Sequence, residues 1–577
     1  MKLKQVKMTY VNIVGEKQRT FDAIVIGSGI SGGWAAKELT EKGLKTLVLE
    51  RGRNIKHVVD YPTTLLNEWE LEHRGKLPLK VRNENPIASR CYAFREDAAH
   101  FFSKDKDHPY IQKKPFDWIK GYQVGGKSLL WARQVQRWSD FDFEGPTRDG
   151  FAVDWPIRYK DLAPWYSYVE KFTGVSGNKD GIPELPDGEF LPPYELTRVE
   201  KHFKKKISQH YNDRHVIIAR CAHISQANDI FLEQGRMQCQ NRTICQRGCP
   251  YGGYFSSNSS TLPTAVKTGN LTMKTDSVVE SLIYDDKKEK VTGVRVINAH
   301  TNEITEYFSR IIFVNASAVN TNLILLNSKS SRFPNGLGND NELMGKYFAF
   351  HNYRAKVQAE YNGFRNFTTD GRRPTNGYIP RFRNVRKQET DFLRGYAAVV
   401  NSYRPKITKK KGIGISLKNN LMNPEWGPWK IKSYMMGETI PKETNFVCLD
   451  SIKKDSWGMP LLKFSVDYDN NDEKMISDYF EQMSEMFEYA GFTKIKVHDT
   501  HQAPGLEIHE MGGVRMGKDP KTSLLNEWNQ LHSCKNVFIT DGACMTSTGT
   551  QNPSLTYMAL TARAVDYALK EINKHNL

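Results

Sequence analysis

Apolar residues are unevenly spread along this 577-residue chain. Near the start they condense into Ala23, Ile24, Val25 and Ile26, a short unbroken run. Such a run suits a strand buried on both faces of a parallel sheet, whereas half-exposed strands alternate. Beyond a glycine-rich turn, residues 34–42 read as a helix and Thr46, Leu47, Val48 and Leu49 as a second buried strand. Far downstream the pattern changes. From Leu461 through Lys463, Phe464 and Ser465 to Val466 it turns to alternation, which predicts an antiparallel sheet with one covered face, and residues 473–489 predict a helix lying on it. No internal repeat or low-complexity linker interrupts these elements, and residues 1–17 read as a loose arm.

The turn after the first strand carries the first chemistry. Gly27, Gly29 and Gly32, with Ser28 and Ser31 between them, stand at dinucleotide-binding spacing. The first glycine permits the tight turn, the second a close approach of pyrophosphate to backbone, the third helix packing on the strand. The helix that follows turns its free N–H groups toward phosphate. The second strand ends in Glu50 and Arg51, and Glu50 lies 18 residues after Gly32, where an acid can bind ribose hydroxyls. The motif alone does not separate FAD from NAD; its place near the start of the chain favours FAD.

Composition narrows the classes. A hydrophobic share of 39% with 11% aromatics is globular, and the length implies two domains or one large composite. No run of 18 apolar residues exists that would span a bilayer. The first residues carry lysines without an apolar stretch behind them, so no secretory signal is read and a cytoplasmic location is expected. The net charge is +17, with runs at Lys204, Lys205 and Lys206 and at Lys409, Lys410 and Lys411. Without a nucleic-acid motif these read as solvated loops, and no nucleic-acid partner is expected. Eight cysteines are too few for a disulfide scaffold.

Several segments, in order, resemble the glucose–methanol–choline (GMC) oxidoreductases. Residues 121–131, with Gly125, Gly126 and Ser128, are similar to the family's second flavin loop. Residues 537–543, with Asp541 and Gly542, then Asn552, Pro553 and a helix from Leu555 to about Leu569, are similar to its C-terminal end. Asp154–Ile157 with the helix 159–166, the returning strand 311–316 and the turn 455–460 resemble intervening pieces. The resemblance covers most of 20–572. Within the family it is nearest to the pyranose oxidases and to bacterial FAD-dependent sugar dehydrogenases (glucose dehydrogenase large subunits and glucoside 3-dehydrogenases). It implies an α/β fold with a Rossmann-like FAD-binding domain at 18–347 and 501–577. An α+β substrate domain on a mainly antiparallel sheet is implied at 348–500, with the active site between the two. It also implies non-covalent FAD, because Leu130 stands where pyranose oxidases carry the histidine that bonds the flavin.

Oxidising a carbinol means removing a hydroxyl proton and a hydride. An imidazole suits the proton because its pKa lies near neutral. The family's catalytic pair maps onto His509 and Asn552, the second orienting the same oxygen through its amide. His351 is read either as a residue near the pocket or as a satisfied core histidine. Cys239, Cys245 and Cys249, followed by Pro250, stand at the interval at which the sugar dehydrogenase large subunit binds a three-iron four-sulfur cluster. Bare thiols, as in related enzymes with iron-free loops, are the alternative, and a zinc site would need a fourth ligand, for which Cys221 is the nearby thiol. The expected activity is FAD-dependent oxidation of a CH–OH group of a sugar or glycoside, with electrons passed to a protein or quinone acceptor. A small subunit and a cytochrome are the partners this would imply, with export to the periplasm alongside such a partner. A sugar oxidase using oxygen and a non-redox flavin-bearing lyase are the alternatives.

Overall fold

The computed structural model describes residues 19–407 and 412–577, so the expected N-terminal arm at 1–17 and Lys409–Lys411 lie outside the described residues. The chain forms an α/β fold with separate helical and sheet layers. Strand β1 (Thr20–Ile26) runs through Gly27 into helix α1 (Ile30–Glu41), which returns to strand β2 (Thr46–Leu49). Strands β3 (Leu271–Lys274), β4 (Ile304–Val314) and β5 (Cys534–Ile539) complete a parallel array in the order β5-β4-β1-β2-β3. Every pairing along that path is parallel, and the apolar run 23–26 registers against 46–49 on one side and 311–314 on the other. Its central position explains why Ala23, Ile24 and Val25 are fully buried. The hairpin 277–285 with 290–298 continues the sheet antiparallel to β4.

Helix α1 starts at Ile30, earlier than the expected 34. Glycines at 32 and 33 are poor helix formers in isolation, but the packing requires them. A Cβ on residue 32 would lie 2.0 Å from the Gly27 carbonyl oxygen. Gly27 itself sits at φ +95°, against the carbonyl of Asn315 at the end of β4. The order of strands reverses about β1, and the strand ends there (Gly27, Glu50, Asn315, Asp541) open onto one crevice, the position at which open α/β sheets hold their ligands.

A second sheet is wholly antiparallel, in the order 493–499, 355–361, 429–438, 396–403, 377–379, 217–218. Helix α2 (Asn470–Tyr489), capped by Asp469, covers one face, as the sequence predicts. Its Met475, Tyr479, Met483 and Phe487 pack on Val357, Ala359, Ile431 and Val400, together with Phe203 and Ile207 of helix 198–210. The opposite face presents Lys356, Asn401 and Tyr434 to the crevice. The alternating segment at 461–466 lies elsewhere: the strand 460–465 pairs with 446–454 and 111–112 in a small third sheet, and Phe464 packs in the first core beside Phe116 and Phe348. Among the described residues, no helix is long and apolar enough to cross a membrane.

Candidate active site

The crevice between the parallel sheet and the exposed face of the second sheet is a single cavity of about 790 Å³. That lies within the range of cofactor and ligand cavities, about 300–1,000 Å³. Gly27, Ser28, Gly29, Ser31, Glu50 and Arg51 line one part of it, and Gly126, Ser128, Asp541, Gly542, His509 and Asn552 are also in its wall. Gly32, Gly125 and Pro553 are not in that wall. Gly32 lies against the Gly27 carbonyl, Gly125 donates its N–H to Ser28 Oγ at 3.0 Å, and Pro553 stands just before the first turn of helix α3 (Ser554–Asn573).

The glycine-rich end has room beside its backbone and a buried acid, the features a dinucleotide site requires. A Cβ placed on Gly29 meets no atom within 4 Å, so this bend of backbone faces open space. Glu50 is buried, and its carboxylate accepts from the N–H groups of Ser28 at 3.1 Å and Gly52 at 2.9 Å and from Ser28 Oγ at 2.5 Å. Burial still holds its pKa above the ordinary carboxylate value. The Arg51 guanidinium lies between the rings of Tyr122 and Trp457, 4.6 and 4.8 Å from their centroids, with Asp455 at 3.7 Å, so the 455–460 turn closes this end. Ser128 Oγ donates to the Gly125 carbonyl and accepts from Ser257 N–H, stitching the second loop. Asp541 caps the turn 542–544, accepts from Thr321 Oγ1 at 2.6 Å, and is pushed by burial to a pKa of about 6. Phosphate-facing backbone at a helix start, a buried acid for hydroxyls and a cavity of this volume together fit FAD.

The candidate catalytic residues meet at the other end. His509 and Asn552, 43 residues apart in sequence, face each other with His509 Nε2 at 3.4 Å from Asn552 Nδ2. The Asn552 side-chain oxygen is buried and has no protein partner. Burial first, then the neighbouring His351 and Lys127, push the His509 pKa well below its ordinary value, so the imidazole rests neutral. The residue before it, Ile508, is held at φ +66°, a strained conformation for a β-branched side chain. Lys127 of the 121–131 segment bridges to Glu510 at 2.9 Å, tying that segment to the one that carries His509. His351 is buried outside the cavity wall, with its Nδ1 2.8 Å from His509 Nδ1.

Sequence reasoning missed the outer wall of this end. Lys356, Asn401 and Tyr434 come from the second sheet and Tyr353, Arg373 and Gln502 from connecting segments. The available signal was polar alternation in strands: Lys356 and Gln358 point away from the core filled by Val357 and Ala359.

The iron–sulfur expectation for Cys239, Cys245 and Cys249 is not supported. The three residues line one small cavity with His223 and Tyr254, but it measures about 20 Å³, room for about one water rather than a cluster. Among the described residues, no three His, Cys, Asp or Glu side chains converge to hold a metal ion. Zinc fails likewise, since Cys221 is turned away, with its Sγ 3.2 Å from Ser176 Oγ. Sequence spacing fixes how far apart the thiols are along the chain and not where their sulfurs point. Cys245 Sγ instead lies 3.7 Å from His223 Nε2, and burial raises the pKa values of Cys239 and Cys249.

Residues 22–352 match the N-terminal part of the GMC oxidoreductases and residues 441–561 their C-terminal part. A 2-methyl-1,2-propanediol dehydrogenase from Mycolicibacterium austroafricanum is 27% identical, over 95% of this chain and 94% of the relative. The fructose dehydrogenase large subunit of Gluconobacter japonicus is 24% identical, over 96% and 98%. Among solved structures, pyridoxine 4-oxidase from Mesorbium loti superposes with a TM-score of 0.59 at 15% identity, over 95% of this chain and 99% of that one.

Proposed function

The chain belongs to the GMC oxidoreductase family, and from that premise we propose that it is an FAD-dependent dehydrogenase oxidising a CH–OH group of a sugar or glycoside. The observation that carries this reading is the facing pair His509 and Asn552 on the wall of a cavity whose far end fits a dinucleotide. FAD bound there supplies a hydride acceptor. Gly27, Ser28, Gly29 and Ser31 would hold its pyrophosphate, Glu50 its ribose, and Gly126, Ser128, Asp541 and Gly542 the inner half. Leu130 lines the same cavity and offers no atom for a covalent link.

His509, kept neutral by burial, accepts the hydroxyl proton on Nε2. Asn552 Nδ2 donates to the same oxygen and fixes its lone pairs, a positioning contribution. Lys356, Asn401, Tyr434, Arg373 and Gln502 give the outer cavity several donors and acceptors, which supports a polyhydroxylated donor. The dehydrogenase names of the two relatives support an acceptor other than oxygen, and the second being a large subunit supports a partner subunit. Cys239, Cys245 and Cys249 have no part in this reading. We also take 18–347 with 501–577 and 348–500 as the two functional units.

The test is anaerobic mixing with a panel of sugars, glycosides and diols, following loss of the oxidised-flavin absorbance. His509→Ala should retain flavin and slow its reduction about 10²–10⁴-fold, the usual contribution of a general base, and Asn552→Ala should cost less. Reduction of the His509→Ala protein at the parental rate would refute the assignment, and bleaching by simple diols alone would refute the sugar reading.

A further inference from the structure

His351 belongs to a chain of hydrogen bonds whose direction can be read from its fixed end. Its Nε2 lies 3.1 Å from the carbonyl oxygens of both Thr548 and Gly549. Carbonyl oxygens only accept, so this nitrogen carries the hydrogen. In a neutral imidazole the other nitrogen, Nδ1, is then bare. It faces His509 Nδ1 at 2.8 Å, which must therefore be the N–H of that contact. A neutral His509 with hydrogen on Nδ1 has its free lone pair on Nε2, the atom that faces Asn552 in the cavity. The rings cross at 89°, so the contact runs edge to edge through the nitrogens and is not a stack.

We propose that His351 is a positioning residue that sets the tautomer of His509 and shares the proton His509 takes from the substrate. This rests on the reading of His509 as the base. The loop 548–552 acts at both ends: its carbonyls orient His351, and its Asn552 amide meets His509 on the far side. When the substrate hydroxyl gives its proton to Nε2 and the two electrons of the carbinol C–H bond leave as hydride to FAD, His509 becomes an imidazolium. Its Nδ1–H then donates to a neutral acceptor, and the Thr548 and Gly549 carbonyls at His351 Nε2 stabilise any charge passed on. One proton fits this pair and a second does not, because two imidazolium rings this close would repel. The charged groups facing the pair are Lys127 on the His509 side, itself bridged to Glu510, and Glu438 with Arg381 on the His351 side. Glu438 stands opposite His351 across the 351–352 and 437–438 strands, and its carboxylate is held by Arg381 at 2.6 Å and Arg394 at 3.0 Å, so it brings little uncompensated negative charge to the ring.

Two substitutions separate the roles of the ring atoms. His351→Asn keeps an acceptor near the Nδ1 position and drops the Nε2 donor. His351→Gln keeps a donor near Nε2 and drops the acceptor. In the flavin-loaded enzyme, anaerobic rapid mixing with a donor that bleaches it should show His351→Gln slowed about 10–100-fold, by analogy with metal-bound histidines that lose the partner orienting them, and His351→Asn within a few fold of parental. The acid limb of the rate should move to lower pH in His351→Gln, since protonated His509 has lost its acceptor. A packing role would slow all pH values alike. Independently, the parental enzyme labelled with ¹⁵N-histidine should show His509 with hydrogen on Nδ1 at neutral pH. The signals can be assigned by their loss in His509→Ala and His351→Gln. A His509 with hydrogen on Nε2 would overturn the proposal, as would a His351→Gln enzyme with parental rate and limb, or the two variants being equally slow with unmoved limbs. Parental reduction by His509→Ala would instead sink the base assignment on which the proposal stands.

Discussion

Gly29 and Gly32 lie in one turn, and a methyl group on each should have opposite consequences. At position 32 the new carbon would sit 2.0 Å from the Gly27 carbonyl oxygen, inside the 3.4 Å of ordinary contact. Gly27 cannot yield, because it is wedged at φ +95° against Asn315. Alanine in place of a helix-interior glycine gains about 1 kcal/mol. Overpacking costs about 1–3 kcal/mol, and a backbone neighbour without freedom to move sets it at the upper end. Gly32→Ala should therefore lose about 2 kcal/mol of stability. Gly29 has φ −68°, which alanine adopts readily, and nothing within 4 Å. Gly29→Ala should leave the flavin-free protein unchanged or up to about 1 kcal/mol more stable. Its methyl would, however, project where the pyrophosphate must approach, and a comparable overlap weakens binding about 10–100-fold. Thermal unfolding of the flavin-free proteins and fluorescence titration with FAD measure both quantities. Gly29→Ala binding FAD with parental affinity, or Gly32→Ala unfolding at the parental midpoint, would refute the geometry of this turn.

Two further outcomes follow from the cavity. The flavin should leave in the supernatant when the holoenzyme is precipitated with acid, because Leu130 offers nothing to bond it; flavin retained in the washed pellet would point to another attachment residue. The rate of flavin reduction should hold from neutral pH down through the ordinary histidine value of 6.5 and fall only below it, because the His509 pKa is lowered and the base is lost as pH drops through that lowered value. A rate that already halves above pH 6.5 would contradict a buried, neutral base.

The first fold unit was legible in sequence because its signals are local. An unbroken apolar run, a glycine spacing and an acid at a strand end sit within some thirty residues, and each follows from one backbone requirement. Strands such as Ile217–Ile218 and Ile111–Gln112 were not legible, since two residues show no periodicity and only their partners define them. Partner choice also misdirected the reading of 461–466, whose alternation correctly predicted a strand while leaving open which core would take Phe464. At the active site, the flanking glycines drew attention to His509 and Asn552. His351 lies 158 residues from its partner and was left between two readings, because a side chain's hydrogen bond has no signature along the chain. The cysteines failed in the opposite sense: a suggestive interval accompanied sulfurs that share no coordination point.

The cavity wall takes residues from within the segments 26–31, 49–51, 118–134, 315–324, 506–510 and 541–557, though not every residue of each, so a single bound molecule would touch parts spread over nearly the whole chain. A ligand that binds only the folded state adds RT ln(1 + [L]/Kd) to stability, about 2.7 kcal/mol at a hundred times Kd. The folded fraction of this protein should then rise and fall with flavin supply. Substitutions that weaken the cofactor site should lower abundance before they visibly lower turnover, and would be mistaken for folding defects wherever riboflavin is scarce.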